Sequence, residues 1–272
     1  AAVTAIVVGS MAAGGAAVAV AYESAEAQVR DQLLAGAEQR LDLARQRLEL
    51  AQRERQTTER RFDVGMVDTQ AVLESGVQVA IAEAQVAGAT LDLEEIRASG
   101  REPRKELWAS RVKGRDFVGD RLQAELTVPV KALEVERTFM ESIRARIEIG
   151  TMAPQELETA RVRIAELEAA EHAIRRRLEI RKQYLSGRID TTVTELRSLE
   201  VEAEQQVSAL TPKVSLARDQ VRLLTERAKV GVVSSVDVAE ADLRRLELET
   251  ALSKAQLDLT VIRQRLAKHR DQ

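Results

Sequence analysis

Three short stretches decide the fold of this chain: Val64-Gly65-Met66-Val67-Asp68-Thr69, Ile149-Gly150-Thr151-Met152-Ala153-Pro154 and Val230-Gly231-Val232-Val233-Ser234-Ser235. Their glycines recur at almost equal intervals along the chain, and each stretch lies between two long segments with helical periodicity. The spacing therefore predicts one long helical hairpin written three times, with the turn at its tip repeated most clearly.

Each turn contains the residues that end one helix and start the next. The glycine follows a β-branched residue and is expected to take the left-handed conformation that ends a helix. Asp68 and Ser234 are good N-caps, Asp237 lies at the spacing of a capping box, and Pro154 is tolerated in the first helical turn. These residues predict a tight helix–helix reversal.

The apolar residues in the turns allow two interpretations. They hold the reversal together as hydrophobic staples, or they are exposed and contact a partner, because a solvent-facing tip is normally polar. The candidate tip residues are Val64, Gly65, Met66, Val67, Ile149, Gly150, Met152, Val230, Gly231, Val232 and Val233.

The composition favours long helices over a compact globule. The chain has 272 residues, of which 44% are hydrophobic, 31% are charged and only 2% are aromatic. Because aromatic rings bury the most area per residue, a compact core of this size would contain more of them. The net charge is −3, with the signs interspersed along the helices, which argues against nucleic-acid binding.

The fold predicted from these patterns is all-α: an N-terminal transmembrane helix followed by three long antiparallel, coiled-coil-like hairpins. Small apolar residues recur every three or four positions along the arms, as in Leu41, Ala44, Leu48 and Ala51. The predicted divisions are an anchor or signal segment (1–22), hairpin 1 (23–97), a linker (98–128), hairpin 2 (129–186, its first arm beginning at Pro129) and hairpin 3 (187–272).

The linker between the first two hairpins is the least helical segment. It contains Gly100, Pro103, Gly114 and the single tryptophan, Trp108. Trp108 is therefore a candidate for a specific contact, either with the chain's own helices or with a partner.

The segment Ala1–Tyr22 carries no charge and is rich in alanine and glycine. Its length is close to the ~20 residues that cross a bilayer, so a retained membrane anchor and a secretory signal are both open. The pairs Gly9/Ala13 and Ser10/Gly14 have the small-xxx-small spacing of packed membrane helices. No basic cluster follows the segment, which favours an inner-membrane anchor with the body on the periplasmic side.

No pattern in the chain indicates an active site. The chain has no cysteine, and its two histidines, His172 and His269, lack a metal-binding spacing. There is no phosphate-binding loop or nucleophile elbow. Narrow alanine-rich seams are expected to leave no useful pocket, and the acidic residues are expected to keep ordinary pKa values. We predict no enzyme activity, cofactor, metal or small-molecule substrate.

The tips resemble the TolC-like outer-membrane efflux proteins. The resemblance rests on Arg61 to Val67 with Thr69, Val72, Glu74 and Ser75, and on Arg227 to Val238 with Glu240 and Ala241. It implies that Val64, Gly65, Met66, Val230, Gly231 and Val232 face the helical hairpin of a periplasmic adaptor. It covers the hairpins alone, since the chain shows no pair of alternating strands, and the second tip diverges most.

Two functions follow as hypotheses. The first is a membrane-anchored helical scaffold, an accessory subunit that stabilises a larger envelope complex through its hairpins and anchor. The second is a transport or secretion component that docks through its tips to a periplasmic adaptor. The expected partners are other subunits of a membrane complex and, through residues 1–22, the lipid bilayer.

Overall fold

The computed structural model describes the backbone of residues 6–270 and the side chains of residues 27–269. Six helices make up almost all of this part of the chain: α1 (Ile6–Asp63), α2 (Thr69–Ser99), α3 (Phe117–Glu148), α4 (Pro154–Leu185), α5 (Thr191–Lys229) and α6 (Ser235–Arg270). Residues 6–270 contain no strand, only an isolated bridge between Val112 and Arg115. The all-α prediction with three helical hairpins is confirmed at this level.

The helices form an open series rather than a closed bundle. Within the described residues each helix contacts only the helices before and after it in the chain. The accessible surface is 17537 Å² for a mass of 30.1 kDa, whereas a compact monomer of that mass exposes roughly 12,000 Å². The excess surface fits a single layer of helices whose two faces are open.

Small residues make the seams inside the hairpins. In hairpin 1, Ala37 and Leu41 of α1 pack with Leu93 and Ile96 of α2, and all four side chains are buried. Small residues let the backbones approach closely, and α2 buries Ser75, Val79 and Ala82 at three–four spacing on the same side. In hairpin 1 the predicted stripe of α1 is buried at Leu41 and Ala44 and half-buried at Leu48 and Ala51.

The start of α3 differs from the prediction. The helix begins at Phe117, well before Pro129, so the predicted linker 98–128 is too long. Asp116 caps the helix by accepting the backbone N–H of Gly119 at 3.1 Å. Pro129 lies inside the helix, where it removes one backbone hydrogen bond. The helix continues through it because a buried stripe lies upstream, at Phe117, Val118, Leu122 and Leu126.

Candidate partner-binding site at the hairpin tips

The three predicted tips share one backbone geometry. Gly65, Gly150 and Gly231 have φ of 73°, 72° and 75°, in the left-handed region that favours glycine. At the first tip the N–H of Gly65 donates to the carbonyl of Phe62 at 2.9 Å, and the N–H of Met66 donates to that of Arg61 at 2.8 Å. The other two tips repeat both bonds, so each is a Schellman turn that ends its helix.

The start of the following helix is capped in two of the tips as the sequence predicts. Asp68 accepts the N–H of Ala71 at 3.0 Å. Ser234 and Asp237 form a reciprocal capping box, with Oγ of Ser234 accepting the Asp237 N–H and the Asp237 carboxylate accepting the Ser234 N–H. At the second tip Pro154 begins α4, and Ala153 supplies no side-chain cap.

The tips lie together at one end of the layer. Successive helices are antiparallel neighbours, so the turns after α1, α3 and α5 are at the same end. The connections between α2 and α3 and between α4 and α5 are at the other end. Three copies of one turn are thus presented on a single edge.

The apolar tip residues fall into two groups. Those on either side of the glycine are 70–73% exposed: Val64, Met66, Ile149, Val230 and Val232. Those immediately before the N-cap are half-buried: Val67, Met152 and Val233. The second group has the N′ position of a hydrophobic staple, with Val72, Leu157 and Val238 at the matching N4 positions. The first group offers the larger exposed apolar surface to a partner.

A fourth copy of the turn joins α4 to α5 at the opposite end of the layer. It reads Ser186-Gly187-Arg188-Ile189-Asp190-Thr191. Gly187 has φ of 73°, and the N–H groups of Gly187 and Arg188 donate to Tyr184 and Gln183 at 2.9 and 3.0 Å. Ile189 is half-buried and Asp190 caps the N–H of Val193 at 2.8 Å. Only the boundary between hairpins 2 and 3 was predicted here, although the glycine, the apolar residue and the capping Asp were all present in the sequence.

The fourth turn tests what the reversal requires. Its two exposed positions, on either side of the glycine, carry Ser186 and Arg188 instead of apolar residues. The same hydrogen bonds form without them. The exposed apolar side chains of the three tips are therefore not needed to make the turn, and they form an apolar surface in excess of the fold's needs.

The linker after α2 is held by two buried arginines that sequence reasoning missed. Arg121 of α3 donates to Asp92 at 2.9 Å and to Glu95 at 2.8 Å, both on α2, and also to the backbone carbonyl of Arg104. Glu95 is almost fully buried. Because a buried charge is tolerated only when it is paired, this contact fixes α3 against α2.

The second arginine, Arg181, comes from α4. It donates to the backbone carbonyls of Leu107 and Ala109 and, at 2.8 Å, to the carboxylate of Asp116. Leu107 and Ala109 are buried in the central cluster with Ile180. Trp108 between them is half-buried, so the predicted contact residue stands in a segment clamped to the chain's own helices.

Two predictions are wrong: that the helix seams leave no pocket, and that the acidic residues keep ordinary pKa values. A groove of about 700 Å³ lies along α2 and α3, and its lining includes Val79, Leu126 and Val130, although the alanine-rich seams were expected to leave no pocket. Glu136 in α3 was expected to titrate ordinarily. Burial raises its pKa above the usual 4.5, Glu74 adds to the shift and Arg163 opposes it. Oε2 of Glu136 is buried without a hydrogen-bond partner.

The described side chains include no group of three or more His, Asp or Glu placed to hold a metal ion. His172 is exposed, and His269 lies 3.7 Å from Asp190.

The membrane-anchor prediction for Ala1–Tyr22, with its packing residues Gly9, Ala13, Ser10 and Gly14, falls outside the residues whose side chains are described. Within the residues searched, no helix combines the length and hydropathy needed to cross a membrane.

Comparison with known proteins found no matching family model, no similar curated protein and no similar solved structure.

Proposed function

We propose that this chain is a non-catalytic docking subunit of a larger envelope assembly, and that it binds its partner through the apolar surface at the three hairpin tips. The observation that carries the proposal is the contrast between the two ends of the layer. The first tip exposes Val64 and Met66, and the third exposes Val230 and Val232. The same turn at the far end exposes Ser186 and Arg188 instead. An apolar pair that the turn does not need is best explained by a contact.

The partner that suits this surface is a helical hairpin. Three small apolar projections on one edge offer knobs that pack between the side chains of a facing helix pair. The resemblance of the first and third tips to TolC-like efflux proteins supports the same partner class, a periplasmic adaptor. The second tip, with Ile149 exposed but Thr151 in place of a second apolar residue, contributes less apolar surface.

Membrane anchorage belongs to the proposal as well. The uncharged segment Ala1–Tyr22 supports an anchor that holds the body on the periplasmic side, by its length and by the lack of a following basic cluster. Cleavage as a secretory signal is the competing outcome.

A scaffold that braces a complex through the sides of its hairpins is the second candidate. The open layer favours it, because 17537 Å² of accessible surface leaves both faces of the helices free for lateral contacts. The two candidates differ in which substitutions release the partners.

The test is co-purification from native membranes in mild detergent, with mass spectrometry of the associated proteins. The tip variant carries Val64→Ser, Met66→Arg, Val230→Ser and Val232→Arg, which copies the residues of the fourth turn. The matched control carries Ser186→Val and Arg188→Met, which places an apolar pair at the opposite end.

We expect the tip variant to lose at least 90% of an adaptor-like partner while its thermal unfolding stays the same, and the control to retain the partner. Full recovery of partners with the tip variant would overturn tip docking and favour lateral bracing. Recovery of the chain in the soluble fraction would overturn the anchor alone.

A further inference from the structure

The two outer helices of the layer each have one free side. α2, α3, α4 and α5 contact a helix on both sides, whereas in the described part of the chain α1 contacts only α2 and α6 contacts only α5. Both free sides carry exposed apolar residues among the polar ones.

Each free side carries a row of residues at heptad spacing. On α6 the row is Val236, Leu243, Thr250 and Leu257, and its three apolar members are 61–63% exposed. On α1 the row is Val29, Gly36, Leu43 and Leu50, and its three large members are 50–63% exposed. A heptad-spaced apolar row is the pattern of a helix that packs along another helix. At about 100° per residue, the α6 row lies roughly 100° or more from Ala255 in the seam to α5. On α1, Leu43 and Leu50 lie roughly 120–140° from Ala37 in the seam to α2, and Val29 lies closer, at roughly 80°.

The internal repeat extends to individual contacts between side chains. Arg137 of α3 binds Glu168 of α4 at 2.9 Å, and Arg218 of α5 binds Glu249 of α6 at 2.8 Å. The interval from Arg137 to Arg218 and the interval from Glu168 to Glu249 both equal the interval between the second and third tip glycines. Hairpins 2 and 3 therefore share this contact in one register, in which α6 is the counterpart of α4.

In α4, three of the four positions equivalent to the α6 row are covered by α5, and the fourth, Gln155 near the tip, is exposed. Val162 and Arg176 correspond to Leu243 and Leu257 and are half-buried, and Ala169 corresponds to Thr250 and is buried. Arg176 pairs with Glu204 of α5. The free side of α6 therefore lacks a helix at the place where α5 covers α4. Each hairpin begins with an equivalent first arm, so the helix of the repeat that corresponds to α5 and has a free side is α1.

Charge complementarity supports the same pairing. Glu166 of α4 forms an ion pair with Lys213 of α5. Counted from the tip glycine of its own hairpin, Glu247 on α6 is equivalent to Glu166, and Arg47 on α1 is equivalent to Lys213. The side chains of Glu247 and Arg47 are both exposed. An acid and a base therefore recur at the two free edges in the register that joins α4 to α5.

The same register matches the sizes of the apolar residues. Glu166 and Lys213 lie at nearly equal distances from their tip glycines, so facing residues are those at nearly equal distances from the tips. In that register Leu243 lies within one residue of the level of Leu50, Thr250 within one residue of Leu43, and Leu257 within one residue of Gly36. A large residue meets a small one at two of the three levels, which lets the helices interdigitate.

We propose that α6 of one copy binds α1 of a second copy, head to tail, so that the helical layer continues from molecule to molecule. The contact is heterologous, since two different edges meet, and every copy in a row uses both. This association is independent of tip docking, because it uses the sides of the outer helices and leaves all three tips in line.

The absence of cysteine from the sequence allows a direct test. Full-length chains carrying Leu50→Cys and Leu243→Cys together are purified in mild detergent, oxidised and run on a denaturing gel. Helices α1 and α6 do not contact one another within the described part of a copy, so a bond between the two cysteines joins different copies. The matched control combines Leu50→Cys with Leu199→Cys, because Leu199 is an exposed leucine on α5, away from either edge.

We expect a ladder of cross-linked species from the Leu50/Leu243 pair, at least tenfold more intense than from the control pair. Each single-cysteine variant should remain uncross-linked. A dimer from Leu50→Cys alone or from Leu243→Cys alone would overturn the head-to-tail arrangement, because it would show two identical edges in contact. Absence of a ladder, or equal ladders from pair and control, would overturn self-association.

A second measurement needs no cross-link. Leu243→Lys with Leu257→Lys should reduce the mass measured by light scattering to that of one chain, while Leu199→Lys should leave it unchanged. A wild-type protein that is itself monomeric at all accessible concentrations would contradict the proposal.

Discussion

Arg181 and Asp116 are 65 positions apart in sequence, yet two nitrogens of the guanidinium donate to one oxygen of the carboxylate, at 3.0 and 2.8 Å. The arginine side chain is only 2% exposed and also holds two carbonyls of the linker. One residue of hairpin 2 therefore fixes both the linker and the N-cap of α3. The joint between hairpins 1 and 2 depends on it.

Arg181→Ala should lower the free energy of unfolding by about 3–5 kcal/mol, because it leaves a partly buried carboxylate and two buried carbonyls without their donor. Urea unfolding followed by circular dichroism measures the change. Arg218→Ala is the matched control: it breaks an interhelical pair whose arginine is 64% exposed, and it should cost about 1 kcal/mol or less. Equal losses in the two variants would show that Arg181 does not clamp the linker.

Gly65→Val and Gly231→Val should each cost about 1–2 kcal/mol, because a β-branched residue is forced into the left-handed region. An added Cβ meets nothing within 4 Å at either site, so the expected cost comes from the backbone conformation and not from a clash of the Cβ. Gly88→Ala inside α2 also has open space and should stabilise the protein by about 0.5–1 kcal/mol. Thermal unfolding separates the two signs; unchanged stability of the tip variants would argue against the Schellman turns.

Met66→Ser and Val67→Ser separate the two roles assigned to apolar tip residues. Met66 is exposed, and its loss should change stability by less than about 0.5 kcal/mol. Val67 is half-buried at the staple position, and its loss should cost about 1 kcal/mol. A larger effect of Met66 than of Val67 in chemical denaturation would reverse the assignment.

Glu136→Gln should stabilise the protein at neutral pH. Burial raises the pKa of Glu136 in the folded chain, so the folded state holds the proton more tightly than the unfolded state, whose carboxyl titrates near 4.5. The free energy of unfolding then falls as the pH rises from below 4.5 through the raised pKa. The amide variant lacks this loss, and its advantage over the wild type should grow between pH 4 and pH 7.

Urea unfolding at both pH values measures that advantage. Glu134→Gln, on the exposed side of the same helix, serves as the control and should change stability little at either pH. An advantage of Glu136→Gln that is the same at pH 4 and pH 7 would contradict the assigned pKa shift.

The local features of this chain are predictable from its sequence. A left-handed glycine, a capping residue and a three–four stripe act over a few residues, so the tips and the seam of hairpin 1 follow from Gly65, Asp68 and Leu41 alone. The start of α3 was misplaced because Pro129 is a local signal for a boundary, whereas the buried stripe that overrides it depends on packing against other helices.

The fourth turn and the clamp were missed for different reasons. The fourth turn carries Ser186 and Arg188 where the tips have apolar residues, so a search for the apolar pattern passes over a backbone of the same shape. Arg181 and Arg121 lie in sequences full of arginine, and nothing local distinguishes a buried one. Their partners, such as Asp116 and Glu95, are chosen by the order in which the helices pack.

That each described helix contacts only its chain neighbours makes the molecule one-dimensional in an energetic sense. Its stability approximates a sum of helix–helix steps, because no contact within the described residues joins the first helix to the last. Duplication or loss of a hairpin should therefore lengthen or shorten the array by one unit, provided that the joint held by Arg181 is kept. Contacts that are all between consecutive elements also favour rapid folding from several starting points along the chain.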